Sequence, residues 1–274
     1  MKKLRITLTL LLILTSVNQL RSQDLNVIIN RIANINEVQF EGQSGKYQNF
    51  KNFELLKKKS NITQLLKLTE HKNSVVACYS SFALIDKNYN QIEKIFTKLL
   101  VENKKVTTLD GCLIDEEELP TLFYEYFTFE SKLPENKKNK IISKLDSISI
   151  FNGNSNSLIH KILKDKTVSE NLNQQIKYLA YQKYNKDALF YIANLNLETE
   201  KDLIKNAWLN YIDKTELSSE YLGFYYDTVE KLLELKDNEI TNKILRKLTD
   251  NKEEWKYNKD NFEEVLSKYN LKIE

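Results

Sequence analysis

Apolar residues recur along this chain at the spacing of amphipathic helices. Between residues 92 and 100 they fall at positions i, i+3, i+4, i+7 and i+8, as Ile92, Ile95, Phe96, Leu99 and Leu100. The same spacing returns at 204–212 and, near the C-terminus, at 262–269. This period places the apolar side chains on one face of a helix. Because it repeats throughout, it predicts about a dozen helices joined by short polar loops, as between antiparallel neighbours.

Glycine and proline are scarce, which narrows the fold class further. The 274 residues include five glycines and two prolines, where average usage would give about 19 and about 14. β-Sandwiches and β-barrels use these residues in their many turns. Two stretches hint at extended structure, "EVQFE" at 37–41 and "KKVTTL" at 104–109, and we interpret both as connectors. The predicted fold class is all-α.

One stretch also carries a family resemblance. Residues 62–84 read "ITQLLKLTEHKNSVVACYSSFAL", with one predicted helix around Leu65 and a second that carries Val76 and the small Ser80. This pattern resembles a HEAT or armadillo-type repeat, in which the second helix packs between neighbours on both sides. Ala77 stands where this family usually has arginine. The resemblance implies antiparallel helix pairs stacked as a HEAT-like α-solenoid, most often a protein-binding scaffold.

The N-terminus has the pattern of an export signal. Basic residues at positions 2, 3 and 5 precede an apolar run at 6–17, and Ser22 is a small residue suited to cleavage. The apolar run is too short for a transmembrane helix. We therefore expect residues 1–22 to be a signal peptide and 23–274 to be a single all-α helical-repeat domain, with a candidate sub-boundary near 152–157.

The expected location is the periplasm or the outside of the cell. No cysteine lies near the cleavage site, so there is no lipobox, and no second long apolar run follows. We therefore expect no integral membrane segment after cleavage. Removal of residues 1–22 leaves 37 basic residues against 38 acidic ones. A nucleic-acid-binding protein normally has a basic excess, so nucleic acid is not an expected partner.

Motifs for chemistry are sparse. The two histidines, His71 and His160, stand in no HExxH or Glu-x-x-His arrangement. The "EGQSGKY" stretch at 41–47 lacks both the glycine spacing of a phosphate loop and the Ser or Thr after its lysine. The acidic run Asp115–Glu118 lacks the spacing of a calcium loop, and we interpret it as the start of a helix with a capping box. We predict no catalytic residue, no cofactor, no metal site and no enzymatic activity.

Two aromatic clusters, "FYEYFTFE" at 123–130 and "YLGFYYD" at 221–227, leave two interpretations open. Some of their aromatic residues lie outside the predicted buried faces of the helices. Outside both clusters, Trp255 lies in a polar stretch. Either neighbouring helices cover these residues, or they form an aromatic patch that binds another protein. The candidate partner-binding residues are Tyr124, Phe129, Phe224, Tyr226 and Trp255.

The chain has two cysteines, Cys78 and Cys112, 34 residues apart. This separation spans about one helix pair, so the two could lie side by side on successive layers of the repeat. An exported protein with an even number of cysteines usually oxidises them. We predict a Cys78–Cys112 disulfide; the alternative is two unpaired buried thiols that serve as small apolar residues.

The resulting functional hypothesis is an exported, non-catalytic helical-repeat protein that acts as a scaffold for protein–protein interactions. Its partner would be another protein, and the sequence carries no signal for an oligomeric state. Two alternatives stay open: a periplasmic immunity or inhibitor protein that neutralises a toxin, and an enzyme with an unrecognised site.

Overall fold

A computed structural model shows a mostly helical chain with one small three-stranded sheet. Its contacts divide it into two compact units, unit 1 (Met1–Ile148) and unit 2 (Ser149–Glu274). None of the described helices combines the length and the apolar character needed to cross a membrane. The structure describes residues 24–40, 47–110, 113–164, 168–195, 198–217 and 224–273.

Unit 1 contains helices α1 to α6, three strands and most of α7. Helix α1 covers residues 24–35. The other elements are β1 (Val38–Gln39), α2 (Gln48–Lys59), α3 (Ile62–Leu68), α4 (Ser74–Asp86), α5 (Ile92–Glu102), β2 (Lys105–Asp110), β3 (Leu113–Glu118), α6 (Leu119–Glu130) and α7 (Glu135–Asn152).

Helix α4 lies at the centre of unit 1. Every residue from Val75 to Ile85 is buried, because α2, α3, α5, α6 and strands β1 and β2 all contact this helix. Two buried serines in α4 donate their hydroxyls to the carbonyls four residues earlier, which satisfies them inside the core. Asparagines cap the two helices of this pair, a residue type whose side-chain oxygen suits that position: Asn61 forms a capping box with Gln64, and the Asn73 side chain accepts from the Val76 N–H.

The sheet corrects two interpretations of the sequence. Both predicted connectors contribute strands: β1 pairs in parallel with β2, and β2 pairs antiparallel with β3. The acidic run Asp115–Glu118 belongs to β3 and does not begin a helix. Helix α6 begins after it, with Pro120 in its first turn, where the missing N–H is not needed. The β-branched residues of β2 and the pairing along β3 decide the extended form of this segment.

Unit 2 contains the end of α7 and eight further helices around its own core. Helix α10 contacts α8, α9 and α11, and Trp208 of α11 is fully buried. The division between the units falls within α7, a few residues before the "NGNSNS" stretch at 152–157, which begins at the last residue of this helix. The helices are α8 (Asn156–Lys164), α9 (Asn173–Lys183), α10 (Lys186–Asn194), α11 (Lys201–Lys214), α12 (Tyr226–Leu233), α13 (Asn238–Asp250), α14 (Lys252–Trp255) and α15 (Lys259–Lys268).

Candidate functional site

The outer edge of strand β3 is the strongest candidate for a binding site. The strand order is β1-β2-β3, so β3 forms one edge of the sheet in the part of the chain that the structure describes. At one end of β3, the side chains of Leu113 and Ile114 are 72% and 69% exposed. Asp115 and Glu116, which follow, are exposed as well. A sheet edge of this kind can pair with a further strand.

The hydrogen-bond register shows which backbone groups face this edge. The Leu119 N–H donates to the Lys104 carbonyl over 2.8 Å, next to the Lys105–Glu118 pair. In an antiparallel ladder, hydrogen-bonded and non-hydrogen-bonded pairs alternate. It follows that Ile114 and Glu116 occupy non-hydrogen-bonded positions and direct their N–H and C=O groups away from β2.

Acidic side chains dominate this edge. Four carboxylates follow one another from Asp115 to Glu118. The Asp115 carboxylate accepts the outward N–H of Glu116 over 2.7 Å, and the Glu116 carboxylate lies 2.9 Å from the Lys105 ammonium. The Lys105–Glu116 pair is exposed, so water and salt screen its attraction. Acidic side chains therefore outnumber basic ones along β3, beside its two exposed aliphatic side chains.

The opposite edge of the sheet is occupied by a side chain. The Tyr79 hydroxyl accepts from the Gln39 N–H over 2.7 Å and donates to the Gln39 carbonyl over 3.0 Å. Burial raises the pKa of Tyr79, more than the backbone bond from Gln39 lowers it, so the hydroxyl keeps its proton. This tyrosine satisfies both backbone groups of Gln39 on β1, whereas β3 directs comparable groups outward.

Three of the five candidate partner-binding aromatics are buried, so they do not form an exposed aromatic patch. Tyr124 is 5% exposed, Phe224 is fully buried and Trp255 is 6% exposed. The Tyr124 hydroxyl donates to Asp146 over 2.6 Å, and the Trp255 indole N–H donates to the Leu248 carbonyl over 2.8 Å. Neighbouring helices cover these side chains, which was the alternative interpretation.

The other two predicted aromatics differ from each other. Phe129, near the end of α6, is 76% exposed. Tyr226 is half-buried at the start of α12, and its ring centroid lies 6.2 Å from that of Phe262. Trp255 also packs on Phe262, at 5.5 Å, so the structure brings Tyr226 and Trp255 together in the packing of unit 2.

Cys78 is part of the core, and both histidines contact neighbouring residues of the fold. Cys78 is fully buried, and burial raises the pKa of its thiol well above the usual range. Cys112 lies outside the described residues, so the disulfide stays a prediction. The His71 ring accepts from the Asn73 N–H over 3.1 Å, and His160 Nδ1 lies 2.8 Å from Asp187. Residues 41–46 of the "EGQSGKY" stretch also lie outside the described residues. Among the described residues, no three metal-ligating side chains form a cluster.

The β3 edge was not predicted from the sequence, because the acidic run also fits the start of a helix. A usable signal was present: β-branched residues at 106–108 precede exposed apolar and acidic residues after a turn-forming Asp-Gly dipeptide. Comparisons with known proteins add no relative, since no family model, no curated protein and no solved structure matches the chain.

Proposed function

We propose that this chain is an exported, non-catalytic protein that works by binding another protein. In this proposal an extended, basic segment of the partner adds to the outer edge of β3 as a fourth strand. The observation that carries the proposal is the outward direction of the Ile114 and Glu116 backbone at an exposed edge. Main-chain hydrogen bonds supply affinity in this mode of recognition, and side chains supply specificity.

Charge supports a basic partner segment. Four adjacent carboxylates lie along β3 and repel an acidic strand, whereas Lys or Arg side chains on an added strand would lie opposite them. Leu113 and Ile114 offer apolar contacts at one end of the same strand. The charges also disfavour pairing between two copies of this edge, since identical acidic strands repel.

Export and helical repeats belong to the same proposal. The pattern of residues 1–22 supports delivery to the periplasm or the outside of the cell. The packed pair α3 and α4 supports a HEAT-like stack of helix pairs, in which α4 is covered on several sides. The acidic edge also suits the narrower role of an inhibitor or immunity protein for a toxin with a basic segment, and a toxin encoded beside this chain would distinguish that role from a general scaffold.

Titration of a labelled peptide tests the edge directly. We expect a short peptide of alternating lysine and valine to bind the protein, with an affinity that falls as salt is raised. A peptide of alternating glutamate and valine should not bind. Glu116→Pro removes an N–H that faces the outer edge, whereas the β2–β3 ladder keeps all of its N–H donors. The substitution should therefore weaken peptide binding about tenfold or more.

The control is Glu253→Lys, which changes an exposed acidic side chain in unit 2. It should leave the affinity for the basic peptide unchanged. Fluorescence anisotropy gives the dissociation constants, and circular dichroism verifies that both variants are folded. Equal binding of the basic peptide by the protein and its folded Glu116→Pro variant would overturn the proposal, as would no binding of the basic peptide at all.

A further inference from the structure

Unit 2 contains a polar pocket that the proposed function does not use. Its volume is about 560 Å³, within the range of small-molecule sites. The pocket lies where the end of α7, the connection from α9 to α10 and the end of α11 approach one another. Gly153 follows α7 with φ +69°, a left-handed backbone conformation that favours glycine.

Amide side chains line much of this pocket. They come from different elements. Asn156 at the start of α8 and Asn185 just before α10 are joined by a hydrogen bond of 3.0 Å from Asn185 Nδ2 to Asn156 Oδ1. An amide has an oxygen with two acceptor sites and two donor hydrogens in one plane, so each keeps hydrogen-bonding capacity beyond the bonds that Asn152, Asn156 and Asn185 make within the protein. A ligand with many hydroxyl groups, each both donor and acceptor, matches this lining better than a ligand with acceptors alone. The five amides are Asn152, Asn154, Asn156, Gln175 and Asn185.

Aromatic rings at the pocket are accessible to a ligand. Phe151 is 61% exposed and Tyr178 is 44% exposed. The face of an aromatic ring is electronegative, and it attracts C–H groups that adjacent oxygen atoms have polarised. The faces of a sugar ring present such groups. A third ring, Tyr184, has the Lys214 ammonium 4.1 Å from its centroid, which adds a positive charge beside the pocket.

The charges in the lining favour an anion. Two lysines line the pocket, the exposed Lys183 and the buried Lys186, together with one carboxylate, Asp187. That carboxylate is in contact with His160 Nδ1 at 2.8 Å. Burial lowers the pKa of Lys186, although the nearby Asp187 and Asp227 act in the opposite direction. By count, the lining still contains two basic side chains against one acidic side chain.

We propose that this pocket binds an acidic saccharide. The amides bind the hydroxyl groups, Phe151 and Tyr178 contact the faces of the sugar rings, and Lys183 and Lys186 pair with a carboxylate of the ligand. This site lies in unit 2 and is independent of the β3 edge in unit 1, so either proposal can fail alone.

Calorimetric titration with matched ligands tests the proposal. The probes are trigalacturonate, a hyaluronan tetrasaccharide and 3′-sialyllactose, each beside its neutral methyl ester, which keeps every sugar ring and removes the carboxylate charge. We expect at least one acidic probe to bind with a dissociation constant below about 1 mM, and its neutral counterpart to bind about tenfold more weakly.

Two exposed positions give variants that leave the core intact. Tyr178→Ala removes a ring and Lys183→Gln removes a charge, and each should weaken binding of the acidic probe about fivefold or more. The matched controls are Tyr257→Ala, at a tyrosine that is 89% exposed, and Lys164→Gln, at the opposite end of α8 from Asn156. Both controls should bind as the unmodified protein does.

Three results would overturn the assignment. The first is that none of the acidic probes binds. The second is that a neutral counterpart binds as tightly as its acid, which would remove the role of the lysines. The third is that the control variants weaken binding as much as the pocket variants, which would place the ligand elsewhere.

Discussion

The Tyr79 side chain connects the core helix α4 to the edge of the sheet. Its ring is buried and stacks on Phe53, with centroids 5.0 Å apart, while its hydroxyl bonds both backbone groups of Gln39. The Gln39 side chain in turn accepts the Asn49 N–H over 2.7 Å. Since these groups are buried, each depends on the others for its hydrogen bonds.

Replacement of this hydroxyl should destabilise unit 1. Tyr79→Phe keeps the ring in place but leaves the N–H and C=O of Gln39 without their partner, and an unsatisfied buried group costs about 1–3 kcal/mol. Urea unfolding at neutral pH measures the change in the free energy of unfolding. Tyr257→Phe, at an exposed tyrosine, should change it by less than about 0.5 kcal/mol. Equal stability of Tyr79→Phe and the unmodified protein would show that water replaces the hydroxyl.

Single aromatic residues mark the limit of what the sequence could predict at this scale. Helical spacing predicts one buried face with Phe123, Tyr126 and Phe127; the two phenylalanines are buried, and Tyr126 is half-buried. It could not place Tyr124 or Trp255, because their cover comes from other elements: Asp146 on α7 receives the tyrosine hydroxyl, and α13 accepts the indole N–H. Such contacts depend on tertiary packing, which the local pattern does not contain.

At the scale of elements, helix starts were predictable and strands were not. Asn61 and Asn73 cap their helices through bonds to residues three positions away, so the signal is local. Strand β1 is two residues long and pairs with Thr108 and Leu109, far along the chain. A strand that depends on such distant pairing is predicted only weakly by its own local sequence. The β3 edge, and with it the candidate site, was missed for a different reason: β3 pairs locally with β2, but its acidic residues also fit the start of a helix.

The cap of α13 gives a prediction with a defined pH dependence. The Asp237 carboxylate accepts the N–H groups of Glu239 and Ile240 over 2.9 and 3.1 Å, and Lys205 lies 3.1 Å away. Burial acts to raise the pKa of Asp237, but the bond from Ile240, together with Lys205 and the Glu239 N–H, lowers it overall. The folded-state pKa is then below the unfolded-state value, so the stabilisation is present above the unfolded pKa and is lost as pH falls through the folded pKa.

Asp237→Ala should therefore lower the free energy of unfolding by about 1 kcal/mol at neutral pH, and by less in acid. Denaturant unfolding at several pH values measures both. Asp237→Asn is the matched control, since it keeps an acceptor oxygen for the cap without a titrating charge. It should retain much of the stability at neutral pH and lose the pH dependence. A loss for Asp237→Ala that stays the same at every pH would contradict the ionised cap.

At the scale of the whole molecule, the chain has two compact units with separate cores. Leu56 is fully buried in unit 1 and Leu189 is fully buried in unit 2. The sequence predicted one continuous helical-repeat domain because its helical pattern continues throughout, and its candidate sub-boundary came from the polar residues at 152–157. The division of contacts falls earlier, inside α7. A helix carries no loop-like composition at such a point, so composition alone could not locate it.

Separate cores should give separate unfolding behaviour. Leu56→Ala and Leu189→Ala each leave a cavity that costs about 2–5 kcal/mol. If each core stabilises its own unit, Leu56→Ala should accelerate amide hydrogen exchange in the helices of unit 1 more than in those of unit 2, and Leu189→Ala should do the reverse. Hydrogen exchange measured by mass spectrometry on peptides from both units compares the two variants directly, and each variant serves as the control for the other. Equal acceleration in both units by either substitution would show that the whole chain unfolds cooperatively, with α7 joining the two cores into one.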